Sequence, residues 1–376
     1  MATGSCAVTT EAVGAVVDEV GGRIVVEAIE VDEPEAGEVQ VRIAASGVCH
    51  SDLWARDNGN WGLPFPMLLG HEGAGVIEQI GDDVEGLGIG DPVVLSWAVP
   101  CGACRPCRRG ELRRCSHAWT QPQRLRRARD GAPLAGVLAC GTLATRTVVH
   151  AAQAIPLPDG IPPASACLLG CGVSTGVGAA IQTAKVWPGA NVAVIGLGGI
   201  GLAALQGARI AGAERLIAID IARRKLDWAS SFGATDVVDA SSVDAIDAVR
   251  DLTGGEGVDF AFEATGVPAC VRQAVEMLSY AGTAVAIGVP PIPSDVILPW
   301  SGSEGAAYPH KASLLITDGG DPIPAEDFPQ MVGWYLDGRL DLDGMVTRTL
   351  GLEELDEAFR AMLAGEVIRS VVRFDT

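Results

Sequence analysis

The stretch VAVIGLGGIGLAAL constrains this 376-residue chain more than any other. It sets Gly196, Gly198 and Gly201 in a G-x-G-x-x-G pattern, straight after an apolar run and at the head of a helical one. Such a turn belongs between a parallel strand and its crossover helix. The first glycine permits the sharp turn, the second lets a pyrophosphate approach the backbone, and the third lets helix and strand pack closely. Because the chain contains 48 glycines, the pattern gains its weight from Asp220. That acid ends the next apolar run, RLIAID, where a carboxylate accepts the ribose hydroxyls of a dinucleotide. The predicted cofactor contacts here are Gly196, Gly198, Gly199, Ile200, Gly201, Asp220 and Lys225. An acid at this place repels a 2'-phosphate and favours NAD, while Arg223, Arg224 and Lys225 leave NADP open. The alternative is a glycine turn in a sheet that binds nothing.

Around this motif the texture changes along the chain. Up to about residue 170 the sequence is rich in Gly, Val and Pro, with alternating stretches such as Glu38 to Ile43 and Gly75 to Ile80 that predict short strands. From Cys171 onward, apolar runs (Val192 to Ile195, Leu216 to Ile219, Phe260 to Phe262, Thr283 to Ile287) alternate with helical stretches. Ile200 to Ala211 is one of these and VRQAVEMLSY, before Gly282, is another. This alternation predicts a doubly wound parallel sheet. After about Ala325 come two amphipathic stretches and a strand-like VIRSVVRF, so one domain is interrupted by another.

Composition narrows the partners. A net charge of -20 opposes binding to nucleic acid or anionic lipid. No apolar run approaches the roughly 18 residues of a membrane helix, and the N-terminus carries no secretory pattern. A soluble, cytoplasmic protein with no membrane or nucleic-acid partner is expected. The exception to the acidic balance is an arginine-dense stretch, Arg105 to Arg129, which reads as a solvated lobe with room for a subunit contact.

Cys101, Cys104, Cys107 and Cys115 follow the spacing C-x2-C-x2-C-x7-C. Four soft ligands at this density suit one tetrahedral zinc with no open position, a structural site. An iron-sulfur cluster is the rival, but no second cysteine set or Cys-Pro ending accompanies it. A nucleic-acid zinc ribbon is a weaker rival, opposed by the charge and by the spacing.

Further segments are dispersed: Cys49-His50-Ser51-Asp52, Gly70-His71-Glu72 and Gly170-Cys171-Gly172. Together with the glycine turn and the four-cysteine lobe, the order GVCHSDLW, GHEGAG, CGACRPCRRGELRRC, GCGVSTG, GLGGIG, IAID, AIGVPP, GEVIRSVV resembles the zinc-dependent alcohol dehydrogenases of the medium-chain dehydrogenase/reductase superfamily. Within it, the sequence looks most similar to the actinobacterial branch of mycothiol-dependent formaldehyde dehydrogenases and nicotinoprotein-like alcohol dehydrogenases. The resemblance implies an α/β fold, a Rossmann doubly wound parallel-sheet domain inserted in a mainly-β GroES-like catalytic domain. The corresponding boundaries are 1–172 for the first catalytic part with a structural zinc lobe at 97–118, 173–316 for the NAD-binding domain, and 317–376 for the remaining catalytic part.

By that resemblance Cys49, His71 and Cys171 are catalytic zinc ligands, leaving a fourth position for water or substrate oxygen. Ser51 takes the alcohol proton, Asp52 orients the histidine, and Glu72 stands behind the zinc. Thr175 packs against the nicotinamide, a backbone carbonyl at Val289 meets its carboxamide, and His50 and Arg369 contact the pyrophosphate. Two zinc ions per chain and NAD are implied, with a homodimer or homotetramer as the assembly. Where many members of the family carry a relay histidine, this chain has Trp54, so the proton is expected to leave Ser51 through the cofactor ribose directly to water. The stretch Ser301 to Asp321 follows no family pattern.

Trp54 and Trp97 are the candidate substrate-pocket residues, and two indoles favour a flat or apolar alcohol. Their alternative is core packing. The expected activity is reversible hydride transfer between NAD and a primary alcohol or its aldehyde. Oxidation of an S-hydroxymethyl thiol adduct, in a mycothiol- or thiol-dependent formaldehyde dehydrogenase, is the alternative within enzymes, and a nicotinoprotein with permanently bound NAD is a variant of either. A non-catalytic NAD-binding protein on the same fold is the reading from another class. His117, Cys6, Cys140, Cys167 and Cys270 receive no role beyond filling.

Overall fold

Strands of two to ten residues, several buried along most of their length, build two sheets. The structure is a computed structural model that describes residues 9–115, 124–301 and 305–374. Strands β1 (Thr9–Val17) and β2 (Ile24–Asp32) form a long antiparallel hairpin. With β4 (Met67–Leu68), β7 (Leu125–Arg127) and β8 (Ala135–Gly136) they make a sheet in the order β7-β2-β1-β4-β8. A second sheet runs β10-β6-β5-β3-β18-β17, with β9 paired to β3. Its members are β3 (Glu38–Gly47), β5 (Glu72–Ile80), β6 (Pro92–Leu95), β9 (Arg146–His150), β10 (Ala154–Pro156), β17 (Val346–Leu350) and β18 (Arg369–Arg373). The last two strands come from the far end of the chain, and β18 lies antiparallel to β3 at Gly47. The unit that contains both sheets comprises Met1–Cys171, Ile323–Leu336 and Leu342–Thr376.

The other unit, Gly172–Pro322 with Asp337–Asp341, is built on a parallel sheet in the order β13-β12-β11-β14-β15-β16. Its strands are β11 (Asn191–Ile195), β12 (Arg215–Asp220), β13 (Asp236–Asp239), β14 (Val258–Glu263), β15 (Leu278–Ala286) and β16 (Ser313–Ile316). Every pairing in it is parallel. Parallel neighbours need crossovers, which the helices Gly199–Ile210, Arg223–Ser231, Ala245–Leu252 and Pro268–Glu276 supply. Ile195, Ile217, Ile219, Val249, Ala274 and Met277 share its core.

Three local expectations change. The helix read through VRQAVEMLSY stops at Glu276, because Leu278 pairs with Val258 and begins β15. The nucleotide unit runs past the boundary drawn at 316, to Pro322, and takes in Asp337–Asp341. Gln206 ties the second of these segments to the unit: it donates to the Asp341 carbonyl at 3.2 Å and accepts from its N–H at 2.7 Å. The arginine stretch is not simply solvated, since Arg113 pairs bidentately with the buried Asp327 at 2.6 and 2.9 Å. Arg126 pairs with Asp32, Arg124 with Glu35 and Glu38, and Arg127 with Asp18 and Asp130. Cys6, His117 and residues 116–118 and 302–304 lie outside the described residues. No single helix among the described residues is long and apolar enough to cross a membrane.

Candidate functional site

The helix His50–Asn58 starts at Cys49, which is its N-cap. Three residues into it, Asp52 turns its carboxylate back, accepting from the Cys49 N–H at 3.3 Å and from the Gly70 N–H at 2.8 Å. The same carboxylate oxygen that meets Gly70 faces His71 Nδ1 at 3.3 Å. Asp52 therefore ties together the two backbone segments that carry Cys49 and His71 and fixes the ring. With Nδ1 engaged, Nε2 is the free donor atom, and it is buried with no hydrogen-bond partner among the described residues.

Cys49, His71, Glu72 and Cys171 gather so that one ligand atom from each lies within 4.8 Å of the others, and all four are buried. A hydrogen bond from Cys171 holds the Cys49 thiol well below its ordinary range against burial, and His71 adds to this. The Cys171 thiol is pushed well above its range by the same contact and by burial. Burial opposes charge on His71, but Asp52 and Cys49 outweigh it and raise the imidazole well above its usual value. Burial raises the Glu72 carboxyl to about 7, while its ion pair with Arg369 pulls the other way.

Two thiols and an imidazole with an orphaned nitrogen fit a zinc ion, and a three-residue donor set leaves room for a fourth ligand. Capture of the ion displaces the protons of Cys171 and His71. Lower pH favours the protonated ligands, so zinc affinity falls as pH falls, by roughly tenfold to a hundredfold per unit for one to two protons. Chelator competition at pH 6 and pH 8 checks this, and equal affinities at the two values would contradict it.

Cys101, Cys104, Cys107 and Cys115 form a second group, again with all sulfurs within 4.8 Å. Backbone N–H groups point at these sulfurs: Cys104 N–H at Cys101 Sγ and Cys101 N–H at Cys115 Sγ, both at 3.3 Å. Donors aimed at sulfur stabilise thiolates, which fits a closed tetrahedral zinc site. Cys140 and Cys167, by contrast, are single buried thiols whose ionisation burial suppresses.

In the other unit the glycine turn has the geometry that the spacing predicts. Gly196 is left-handed at φ 90°, and a Cβ on Gly201 would lie 1.8 Å from the Gly196 carbonyl oxygen. Gly198, the N-cap of the helix Gly199–Ile210, has nothing within 4 Å of a Cβ, so the helix start is open to a phosphate. Asp220 accepts from Leu197 N–H at 2.8 Å and Ala222 N–H at 2.9 Å, and Lys225 Nζ lies 3.7 Å away. It thus braces the turn while each oxygen keeps acceptor capacity. Thr175 is buried on the helix Gly172–Gly178, and Val289, 65% exposed, passes its carbonyl over Gly266.

The remaining expected residues take these places. Arg369 is buried with its guanidinium on Glu72, and His50 is the exposed first residue of its helix. Trp97 is buried in the cluster that holds Cys49, Cys171 and Leu143. Trp54 instead stacks on Trp61, centroids 4.6 Å apart at 24°. Trp61 was missed, and it holds a left-handed backbone at φ 51°, rare for a bulky side chain. Only the spacing of the two indoles along one short segment hinted at the pair.

Residues 35–159 match the alcohol dehydrogenase GroES-like domain, and residues 199–336 match the zinc-binding dehydrogenase family. The class-3 alcohol dehydrogenase of Cereibacter sphaeroides is 35% identical, covering 96% of this chain and 99% of that protein. The chain belongs to the zinc-dependent alcohol dehydrogenases. S-(hydroxymethyl)glutathione dehydrogenase of Paracoccus denitrificans is 34% identical, covering 96% of this chain and 99% of its own length. Among solved structures, benzyl alcohol dehydrogenase of Acinetobacter calcoaceticus superposes with a TM-score of 0.89 at 29% identity, covering 97% of this chain and 100% of that one. Family membership makes the chain an oxidoreductase that interconverts small alcohols and aldehydes with zinc and a nicotinamide cofactor.

Proposed function

We propose that the protein is an NAD-dependent dehydrogenase of primary alcohols, with a preference for aromatic or apolar ones. The observation that carries this reading is the buried Cys49, His71, Cys171 group, with no hydrogen-bond partner on His71 Nε2 among the described residues, next in the chain to the helix that carries Ser51. In the forward direction RCH2OH and NAD⁺ become RCHO, NADH and a proton. Bound zinc supplies Lewis-acid stabilisation of negative charge on the substrate oxygen, and bound NAD⁺ supplies the hydride acceptor. The protein residues do the rest. Cys49, His71 and Cys171 hold the metal, Asp52 keeps the imidazole in one tautomer, and Ser51 Oγ takes the alcohol proton.

Trp54 begins one helical turn after Ser51, yet an indole N–H donates without titrating near neutral pH. Proton release therefore bypasses it. Trp54→Phe should leave the pH dependence of kcat/KM in place, with any change confined to substrate affinity. A displaced pH profile would mean that the indole takes part in the relay.

Asp220 supports NAD over NADP, since a carboxylate tied into the turn would meet a 2'-phosphate with like charge. The names of the relatives support a second substrate reading, oxidation of an S-hydroxymethyl thiol adduct. NADH formation at 340 nm with benzyl alcohol, a linear alcohol series, and formaldehyde with and without mycothiol or glutathione separates the two. Turnover of plain alcohols with two zinc ions per chain supports the general dehydrogenase. Turnover of the thiol adduct alone overturns it. For assembly, a homodimer or homotetramer is supported by β16, an edge strand whose four residues are all exposed and include Leu314, Leu315 and Ile316. Scattering mass in solution checks this.

A further inference from the structure

The segment Thr317–Asp321, which no motif explained, follows β16 and lies against the helix that carries Thr175. Three successive residues are left-handed: Gly319 at φ 62°, Gly320 at 81° and Asp321 at 51°. Glycine adopts this conformation freely, and aspartate does so at a modest cost. Asp321 Oδ2 accepts from Thr183 Oγ1 at 2.5 Å and from Thr317 Oγ1 at 3.1 Å, and the two hydroxyl oxygens are 2.9 Å apart. The three side chains close a triangle.

Both ends of the helical run are gripped by this loop. Thr183 ends a π-helical turn, Ala179–Thr183, that continues the helix Gly172–Gly178. Such wide turns recur where function demands an irregular helix. At the other end Gly320 lies flush on the helix: a Cβ would come 2.3 Å from the Ser174 carbonyl oxygen and 2.8 Å from that of Thr175. Reciprocally, a Cβ on Gly178 would come 2.4 Å from the Gly320 carbonyl oxygen. Contacts this close leave no space between loop and helix, and the Asp321 triangle ties the loop to the helical run at Thr183. The loop also leaves the sheet at the carboxyl end of β16, where ligands of open parallel sheets bind.

We propose that Asp321, acting through Thr183 and Thr317, is a positioning residue that seats this loop on the helix Gly172–Gly178 and so sets Thr175 for the nicotinamide ring. The inference rests on the reading of Thr175 as a nicotinamide contact. It places the effect of Asp321 on the nicotinamide ring alone, because the pyrophosphate is assigned to the turn at Gly196 and the adenosine ribose to Asp220.

The test uses the purified full chain, with NADH affinity from fluorescence titration and ADP-ribose affinity from calorimetry. ADP-ribose carries everything but the nicotinamide. Asp321→Ala should weaken NADH roughly tenfold, the scale of a lost hydrogen bond to a charged group, and leave ADP-ribose binding unchanged. Asp321→Asn, whose amide oxygen can accept from both hydroxyls and which tolerates the left-handed conformation, should restore NADH affinity. Thr183→Val keeps the backbone and removes one donor, so it carries the same expectation if Asp321→Ala does not fold. Unchanged NADH affinity in the alanine and valine variants overturns the proposal, as does a parallel loss of both ligands. Wild-type protein that binds NADH no more tightly than ADP-ribose would instead defeat the Thr175 reading on which it rests.

Discussion

Cys171→Ala should leave a folded protein with one zinc per chain in place of two and alcohol oxidation reduced by about three decades or more. The expectation follows from the donor set. Of the gathered Cys49, His71, Glu72 and Cys171, the two thiols and the imidazole are suited to hold the catalytic ion, because Glu72 is paired with Arg369, and removal of Cys171 leaves two of those three. Loss of Lewis-acid stabilisation costs several kcal/mol, and each 1.4 kcal/mol or so is about tenfold in rate. The fold should survive, because the substitution removes one sulfur from a core cluster that keeps Leu53, Trp97, Leu143 and Leu355. Metal analysis, far-UV circular dichroism and kcat/KM with benzyl alcohol test this together. Activity within about tenfold of wild type after loss of one zinc would show that the reaction does not depend on this cluster.

Cys104→Ala acts on the other zinc, and its expected effect is on stability. The four sulfurs of the lobe surround one position, and the lobe is fastened by Arg113 to the buried Asp327. A structural zinc site contributes its binding free energy, on the order of 10 kcal/mol, to the folded form of its own segment. If half of that reaches the unit as a whole, the midpoint of thermal unfolding falls by roughly 10 °C. Proteases should then cut between Cys101 and Cys115 first. At low temperature the catalytic zinc and much of the turnover should remain, which separates this variant from Cys171→Ala. An unchanged unfolding midpoint would mean that the lobe holds no metal that matters for folding.

The two expectations separate what the chain encodes locally from what it encodes at long range. The nucleotide turn was legible because its parts are contiguous: strand, glycines and helix occupy one run, and the requirement for glycine at 196 and 201 is steric. The four-cysteine lobe was legible for the same reason, its donors lying within fifteen residues of sequence. The catalytic group was found only as three separated segments whose order matched a family. Nothing in Cys49, His71 or Cys171 taken singly says that their side chains meet.

Sequence by itself therefore determined the alternation that builds a parallel sheet, the glycine turn with its acid, and the closed cysteine site. Tertiary structure decided the rest. It brought His71 to Asp52 and Cys171 to Cys49, seated Arg369 on Glu72, paired Trp54 with Trp61 and buried Trp97, and joined Asp321 to Thr183 across more than a hundred residues. The physical reason is one of range. Backbone sterics and metal-ligand spacing act between near neighbours in the chain, whereas burial and ion pairing depend on which distant segments the sheets place side by side.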